Sequence, residues 1–254
     1  MNPIVKSEAI QKAVELIQKS KNTVVLTGAG ISTPSGIPDF RTAETGLWEQ
    51  DNPFQVASLS AFRYRPEVFF DWLRPLAKKM WEAQPNPAHI ALAELEKAGY
   101  LHSIITQNID GLHQKAGSRN VIEVHGSANQ FICLKCGKLF PGEEMIEPFI
   151  RQALIPHCPE CDSILKPQIV LFEEMLPFDA WRAAEQSCRQ ADLILVVGSS
   201  LEVIPAANLP HQALSHGAGL IINTISPTHL DDYADVLLPY DVIVSLPEIA
   251  AKLL

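Results

Sequence analysis

The chain has 254 residues, 47% of them hydrophobic and 19% charged, enough for one large core or a large domain carrying a smaller insertion. Its 20 basic and 29 acidic residues give a net charge of −9, which argues against direct nucleic-acid binding and is compatible with a basic peptide partner. With no apolar run of about twenty residues and no charged, apolar, small-residue leader at Met1, no membrane partner is expected and the chain reads as soluble and cytoplasmic.

Ile10, Ala13, Val14 and Ile17 recur at helical spacing and lead into Asn22–Gly28, a β-branched run ending in glycine: a helix, then a buried strand. From Pro34 to Pro85 the periodicity weakens, and prolines and aromatics predict loops and short helices. Asn86 and Pro87 form a cap and first-turn pair for a helix with Ile90, Leu92, Ala93 and Leu95 on its apolar face, ending near Gly99. Strands are expected over 102–106 and 121–124, followed by a cysteine-bearing segment over 128–165 and a strand at 169–172. A helix around 177–189, a strand at 193–197, a helix over 206–215, strands at 220–222 and 236–238 and a last helix over 247–254 complete the order. Continuous apolar strands alternating with helices predict an α/β fold, a Rossmann-like doubly wound parallel sheet covered on both faces.

Several strand ends carry polar groups where α/β sheets place ligands. Gly28-Ala29-Gly30-Ile31-Ser32 follows the first strand and reads either as a plain turn or as a close backbone approach to a pyrophosphate. The third glycine of the dinucleotide fingerprint is missing, since position 33 is Thr, which argues against a hydride-transfer dehydrogenase. Gly36-Ile37-Pro38-Asp39-Phe40-Arg41 is either a rigid turn with a core phenylalanine or a cover for a nucleotide with Arg41 facing phosphate. Thr106-Gln107-Asn108-Ile109-Asp110 is either a capped turn or a row of polar side chains able to hold an amide and ribose hydroxyls. His125, beside Gly126, is either structural or a general base. Gly198-Ser199-Ser200-Leu201 and Asn223 fall on the same sheet edge, and the convergence of so many polar strand ends favours a site.

Cys133/Cys136 and Cys158/Cys161 are two CxxC knuckles 21 residues apart, slightly beyond the usual zinc-ribbon spacing. Four thiolates close a tetrahedral site with no position open for water, so the zinc they predict is structural. The lone Cys188 reads as an ordinary helix residue.

In their order and joint occurrence, GAGIS from Gly28, GIPDFR from Gly36, TQNID from Thr106, His125-Gly126, the four cysteines and GSSLEVIPAANLP from Gly198 resemble the sirtuin family over nearly the whole chain. The resemblance implies a Rossmann-like NAD-binding domain over 1–41, 86–127 and 166–254, a helical and loop insertion over 42–85, and a zinc-ribbon-like module over 128–165. It implies NAD as a consumed co-substrate, one structural zinc and acyl-lysine proteins or peptides as partners. Carried onto this sequence, Ala29, Thr33, Phe40 and Arg41 would contact NAD from the first loops, and Gln107, Asn108, Ile109 and Asp110 would surround ribose and nicotinamide. Ser199, Ser200, Asn223, Asp241 and Val242 would line the adenosine half. His125 would be the catalytic base, assisted by Asn108 and Asp110. The implied reaction is lysine deacylation releasing nicotinamide and O-acyl-ADP-ribose; the rival readings are a mono-ADP-ribosyltransferase and a non-catalytic NAD-binding module.

The segment Ile169 to Glu174 would bind the peptide through Val170 and Phe172, with Glu173 where the family usually has Gly. Asn223-Thr-Ile-Ser likewise lacks the family's usual glycine. In the branch of the family that removes succinyl or malonyl groups, a Tyr and an Arg bind the acyl carboxylate. The corresponding positions here are Leu73 and Leu76, which predicts a preference for acetyl or longer apolar groups.

Overall fold

The computed structural model describes residues 3–39 and 52–254. Six strands, β1 (Thr23–Thr27), β2 (Ser103–Thr106), β3 (Val121–Glu123), β7 (Leu193–Val197), β8 (Gly219–Asn223) and β9 (Val236–Leu238), form one parallel sheet in the order β3-β2-β1-β7-β8-β9. Alternate residues of β1 feed two different cores. Val25 joins Ile104, Leu195 and Ile221 beneath the helices Pro3–Lys19, Pro87–Lys97 and Val242–Leu253. Val24 and Leu26 join Ile105, Ile194, Val196 and Ile222 beneath the helices Phe178–Gln190 and Leu209–Ser215. Burial on both faces explains why these strands read as unbroken apolar runs.

The chain leaves β1 through β2 and β3 on one side, then returns to build β7, β8 and β9 on the other. Its direction of winding therefore reverses between β1 and β7, and the crevice at the carboxyl ends of these two strands is where such sheets bind ligands.

A second sheet, antiparallel, takes the order β5-β4-β6 from β4 (Gly126–Cys133), β5 (Leu139–Pro141) and β6 (Leu165–Ile169). Only Val124 and His125 separate β3 from β4, so the two sheets join at His125. Gly126 makes the turn with φ 75, and a Cβ there would lie 2.1 Å from the Gln168 carbonyl.

Three expectations need correction. The strand placed at 169–172 lies at Leu165–Ile169 and belongs to the small antiparallel sheet; its pairing partner β4 set its place, and it runs past the expected module boundary at 165. The last helix begins at Val242, capped by the Asp241 carboxylate, with Pro247 in its interior and not at its first turn. The stretch expected as loops and short helices contains the 17-residue helix Pro66–Glu82, whose Phe69, Phe70, Leu73, Leu76, Ala77 and Met80 are buried. Asn86 caps the helix Pro87–Lys97 as expected, and its Nδ2 also donates to the Ile31 carbonyl at 2.7 Å, tying that helix to the first site loop.

Candidate active site

The first wall of the crevice is largely backbone. Gly30 N–H donates to the Gly198 carbonyl at 2.8 Å and Gly28 N–H to Val197 at 3.1 Å, locking the loops after β1 and β7 together. A Cβ on Gly30 would stand 2.8 Å from the Gly198 oxygen, and one on Gly198, itself at φ 58, would stand 2.3 Å from Ile31 N. The glycines are thus required by loop against loop. Around them stand short neutral groups: Ala29 in a 3₁₀ turn, Thr33 bonded to the Gly30 carbonyl, and Ser199, whose hydroxyl accepts from Gln107 Nε2 at 3.1 Å. Ser200 is half-buried beside it. This lining of glycine backbone and short hydroxyls, at a strand switch point, fits the close approach of a dinucleotide.

The loop after β2 supplies the second group of side chains. Asn108 Nδ2 donates to the Gly28 carbonyl and to Ser32 Oγ, both at 3.1 Å, while Ser32 Oγ donates to Asp110 Oδ2 at 2.7 Å. Asp110 also accepts from Leu112 N–H at 2.9 Å. Burial raises the Asp110 carboxyl above its ordinary range, against the lowering effect of the Leu112 and Ser32 hydrogen bonds. Ile109 packs between two apolar clusters, one containing Leu73 and Leu171 and the other Ile37, Leu76 and Leu112.

His125 Nδ1 lies 2.9 Å from the Gln107 carbonyl. A carbonyl can only accept, so Nδ1 carries the hydrogen and Nε2 is left as the basic nitrogen. Burial lowers the pKa of the half-buried ring, partly offset by the Gln107 hydrogen bond, so the imidazole is neutral at neutral pH, as a base must be.

The opposite wall is the segment after β6. Val170 N–H donates to the His125 carbonyl at 2.8 Å, and Phe172 bridges Ser58, its N–H on Ala57 and its carbonyl accepting from Leu59 N–H. Glu173 holds φ 75, a conformation that favours glycine, and its carboxylate accepts from Ser60 N–H at 2.9 Å. Behind it, buried Lys166 donates to the Ile169 carbonyl at 2.6 Å and to Glu174 Oε2 at 2.8 Å, and that same oxygen accepts from Leu171 N–H at 2.9 Å. This ion pair closes the loop over 166–174.

Beyond both walls, the four cysteine sulfurs lie within 4.8 Å of one another, with Cys133 to Cys161 at 3.5 Å and Cys136 to Cys158 at 3.7 Å. Tetrahedral Zn–S bonds of about 2.3 Å place sulfurs roughly 3.8 Å apart, so the donor set and its spacing fit zinc.

The structure thus brings Ala29, Thr33, Gln107, Asn108, Asp110, His125, Ser199 and Ser200 to one sheet edge. Asn223 ends β8, but its side chain is fully buried and committed: Nδ2 donates to the Leu238 and Tyr240 carbonyls, and Oδ1 accepts from Ser245. Asp241 caps the last helix and Val242 is buried in the sheet core. Phe40 and Arg41 lie outside the described residues. Sequence reasoning did not single out Ser32, although a hydroxyl just after a glycine turn is a usable signal. Nor did it find Lys166 and Glu174, for which a lysine within a strand carries none.

The Sir2 family model matches residues 28–205. An NAD-dependent protein deacylase of Archaeoglobus fulgidus is 46% identical over 230 residues, covering 90% of each chain. Among solved structures, Sir2 with a p53 peptide and NAD+ superposes with a TM-score of 0.87 at 40% identity, covering 96% of this chain and 98% of that one. Sir2Tm bound to a propionylated peptide gives 0.85 at 40% identity, with coverage of 96% and 98%. The motif order, the switch-point crevice and the four-sulfur cluster agree with these likenesses, and the chain belongs to the Sir2 family.

Proposed function

We propose that the chain is an NAD-dependent protein lysine deacylase working in the crevice between the two walls, with the parallel sheet and its strand-end loops forming its NAD-binding part. The carrying observation is His125, which stands where the two sheets meet, Nδ1 fixed on the Gln107 carbonyl and Nε2 left basic. The deacylase relatives and the peptide complexes of similar structures support the same reading.

Ala29, Thr33, Phe40 and Arg41 contact NAD from the first loops, Gln107, Asn108, Ile109 and Asp110 surround ribose and nicotinamide, and Ser199, Ser200, Asn223, Asp241 and Val242 belong to the adenosine half. For Asn223 that role is to clamp β8 to the loop that follows β9. Asp110 accepts from the carboxamide, a role its Ser32-oriented carboxylate suits. When bound, NAD supplies the electrophilic ribose carbon and the hydroxyls on which His125 acts as base. Val170 and Phe172 contact the peptide, while Leu73 and Leu76 line the acyl end. Zinc holds the cysteine-bearing sheet and takes no part in chemistry. Among the described residues no helix is long and apolar enough to cross a membrane; a cytoplasmic location accords with thiols retained for metal.

Incubation with NAD and acyl-lysine peptides, followed by mass analysis, tests this reading. The peptide is expected to lose its acyl mass as acyl-ADP-ribose appears. Gain of ADP-ribose on protein with no acyl loss would instead establish a transferase.

A further inference from the structure

Below the site, two buried histidines pack edge to face: His89 on the helix Pro87–Lys97 and His113 on the helix Leu112–Ala116, with ring centroids 5.0 Å apart. Their relative exposures are 0% and 2%, and neither has a role in the chemistry assigned above. Their hydrogen bonds and burial assign both tautomers. His89 Nδ1 accepts from Asn86 N–H at 3.4 Å, which places its hydrogen on Nε2, an atom with no partner among the described residues. His113 Nε2 is 2.9 Å from Thr27 Oγ1, and that hydroxyl already donates its one hydrogen to Thr106 Oγ1 at 2.8 Å. Because His113 Nδ1 is buried without a partner among the described residues, a hydrogen there would be an unpaired donor; the favoured arrangement puts it on Nε2, with Thr27 accepting from His113 and donating onward to Thr106.

Thr106 Oγ1 also accepts the backbone N–H of Asn108 at 3.0 Å. An unbroken chain of hydrogen bonds thus runs from the His113 ring through two buried hydroxyls, one at the end of β1 and one at the end of β2, to the backbone of the residue whose amide spans Gly28 and Ser32. His113 Nδ1 has no partner among the described residues. A bare ring nitrogen is tolerable there, whereas an unsatisfied charged N–H facing His89 is not. Burial and the neighbouring His89 accordingly push His113 down to about 3.

We propose that His113 is a positioning residue for the reaction: its neutral Nε2–H orients the Thr27 and Thr106 hydroxyls, which set the backbone of Asn108 at the ligand edge, while His89 packs the ring in place. The kinetic part of this inference rests on the deacylase reading; the tautomer does not.

Two measurements decide it. Nitrogen-15 NMR of the imidazoles is expected to show His113 as the neutral Nε2–H tautomer from about pH 5 to about pH 8. A charged ring or an Nδ1–H tautomer there overturns the proposal. In the deacylation assay, His113→Leu, which fills similar space without a donor, is expected to lower kcat about 10-fold or more with peptide KM nearly unchanged. His113→Gln, whose amide N–H can reach Thr27, is expected to recover most of it. A leucine variant that only lowers Tm, or a glutamine variant no better than leucine, overturns the proposal. If the leucine variant does not fold, Thr27→Val breaks the same chain one link on and is expected to give the same kcat loss, with unchanged kcat overturning the proposal. A wild-type chain with no NAD-dependent deacylation refutes the functional reading, and the NMR result still decides the tautomer.

Discussion

The wall formed by the ends of β1, β2 and β7 and the wall formed by residues 165–174 meet at His125 but are held by different forces. The first is an outgrowth of a sheet buried on both faces, and its loops interlock through glycine backbone at Gly28, Gly30 and Gly198. The second hangs from a three-stranded sheet whose own core is small, built on Phe131, Cys133, Cys158 and Leu165, and it is tied by the Lys166–Glu174 pair. The NAD side should therefore survive perturbations that dismantle the peptide side. A metal and a buried charge can be removed one at a time, whereas the packing of a whole sheet cannot.

The largest expected effect sharpens this contrast. Zinc removal by chelation, or Cys158→Ala, should unfold the antiparallel sheet, since structural zinc supplies on the order of 10 kcal/mol of folding free energy. The parallel sheet should keep its amide protection in hydrogen exchange. Equal loss of protection in both sheets would break the comparison. Next, Lys166→Met should cost about 3 kcal/mol in denaturant unfolding, because it strands the Glu174 carboxylate without its partner. It should also raise peptide KM while leaving the thermal shift produced by NAD unchanged.

At the junction, His125→Ala should keep fold and zinc but lose about 10²-fold in turnover, the usual scale for a general base. Because burial lowers the His125 pKa, the neutral base persists into more acid solution. The acid limb of kcat/KM should thus fall below the ordinary imidazole value of 6.5 and vanish in the variant. A limb above that value would remove His125 from the role.

Acyl preference probes the apolar floor shared by both walls. Leu73 and Leu76 are buried and offer no charge. Of the nearby cations, Arg65 donates to the Gln55 carbonyl, and Arg74 Nη1 pairs with Asp71 at 2.9 Å with its guanidinium over the Phe149 ring, although its buried Nε has no partner among the described residues. Succinyl-lysine peptides should therefore show kcat/KM about 10-fold or more below acetyl-lysine peptides, since an unpaired carboxylate is costly to bury. Equal values would reveal a cation at the acyl end. The smallest effect is expected at Glu173→Gly. Relief of a left-handed backbone, about 1 kcal/mol, is offset by loss of the bond to Ser60 N–H, so stability should change by less than about 1 kcal/mol. A larger loss would show that this carboxylate, and not Lys166 alone, holds the peptide wall.

Sequence alone determined the features whose cause is local. Strands such as 193–197 were legible because burial on both faces demands an unbroken apolar run. The Asn86 cap was legible because it satisfies its own helix end, and the cysteine cluster because metal geometry imposes knuckle spacing. Local signals also misled, as where Pro247 resembled a helix start but lies inside a helix begun by the Asp241 cap. Tertiary structure decided which sheet residues 165–169 join, that Lys166 meets Glu174, and that His113 reaches Asn108 through Thr27 and Thr106. Thr27 and Thr106 are 79 positions apart in the chain. The register of β1 against β2 makes them neighbours, and register depends on the summed packing of both sheet faces, a quantity that no single segment contains.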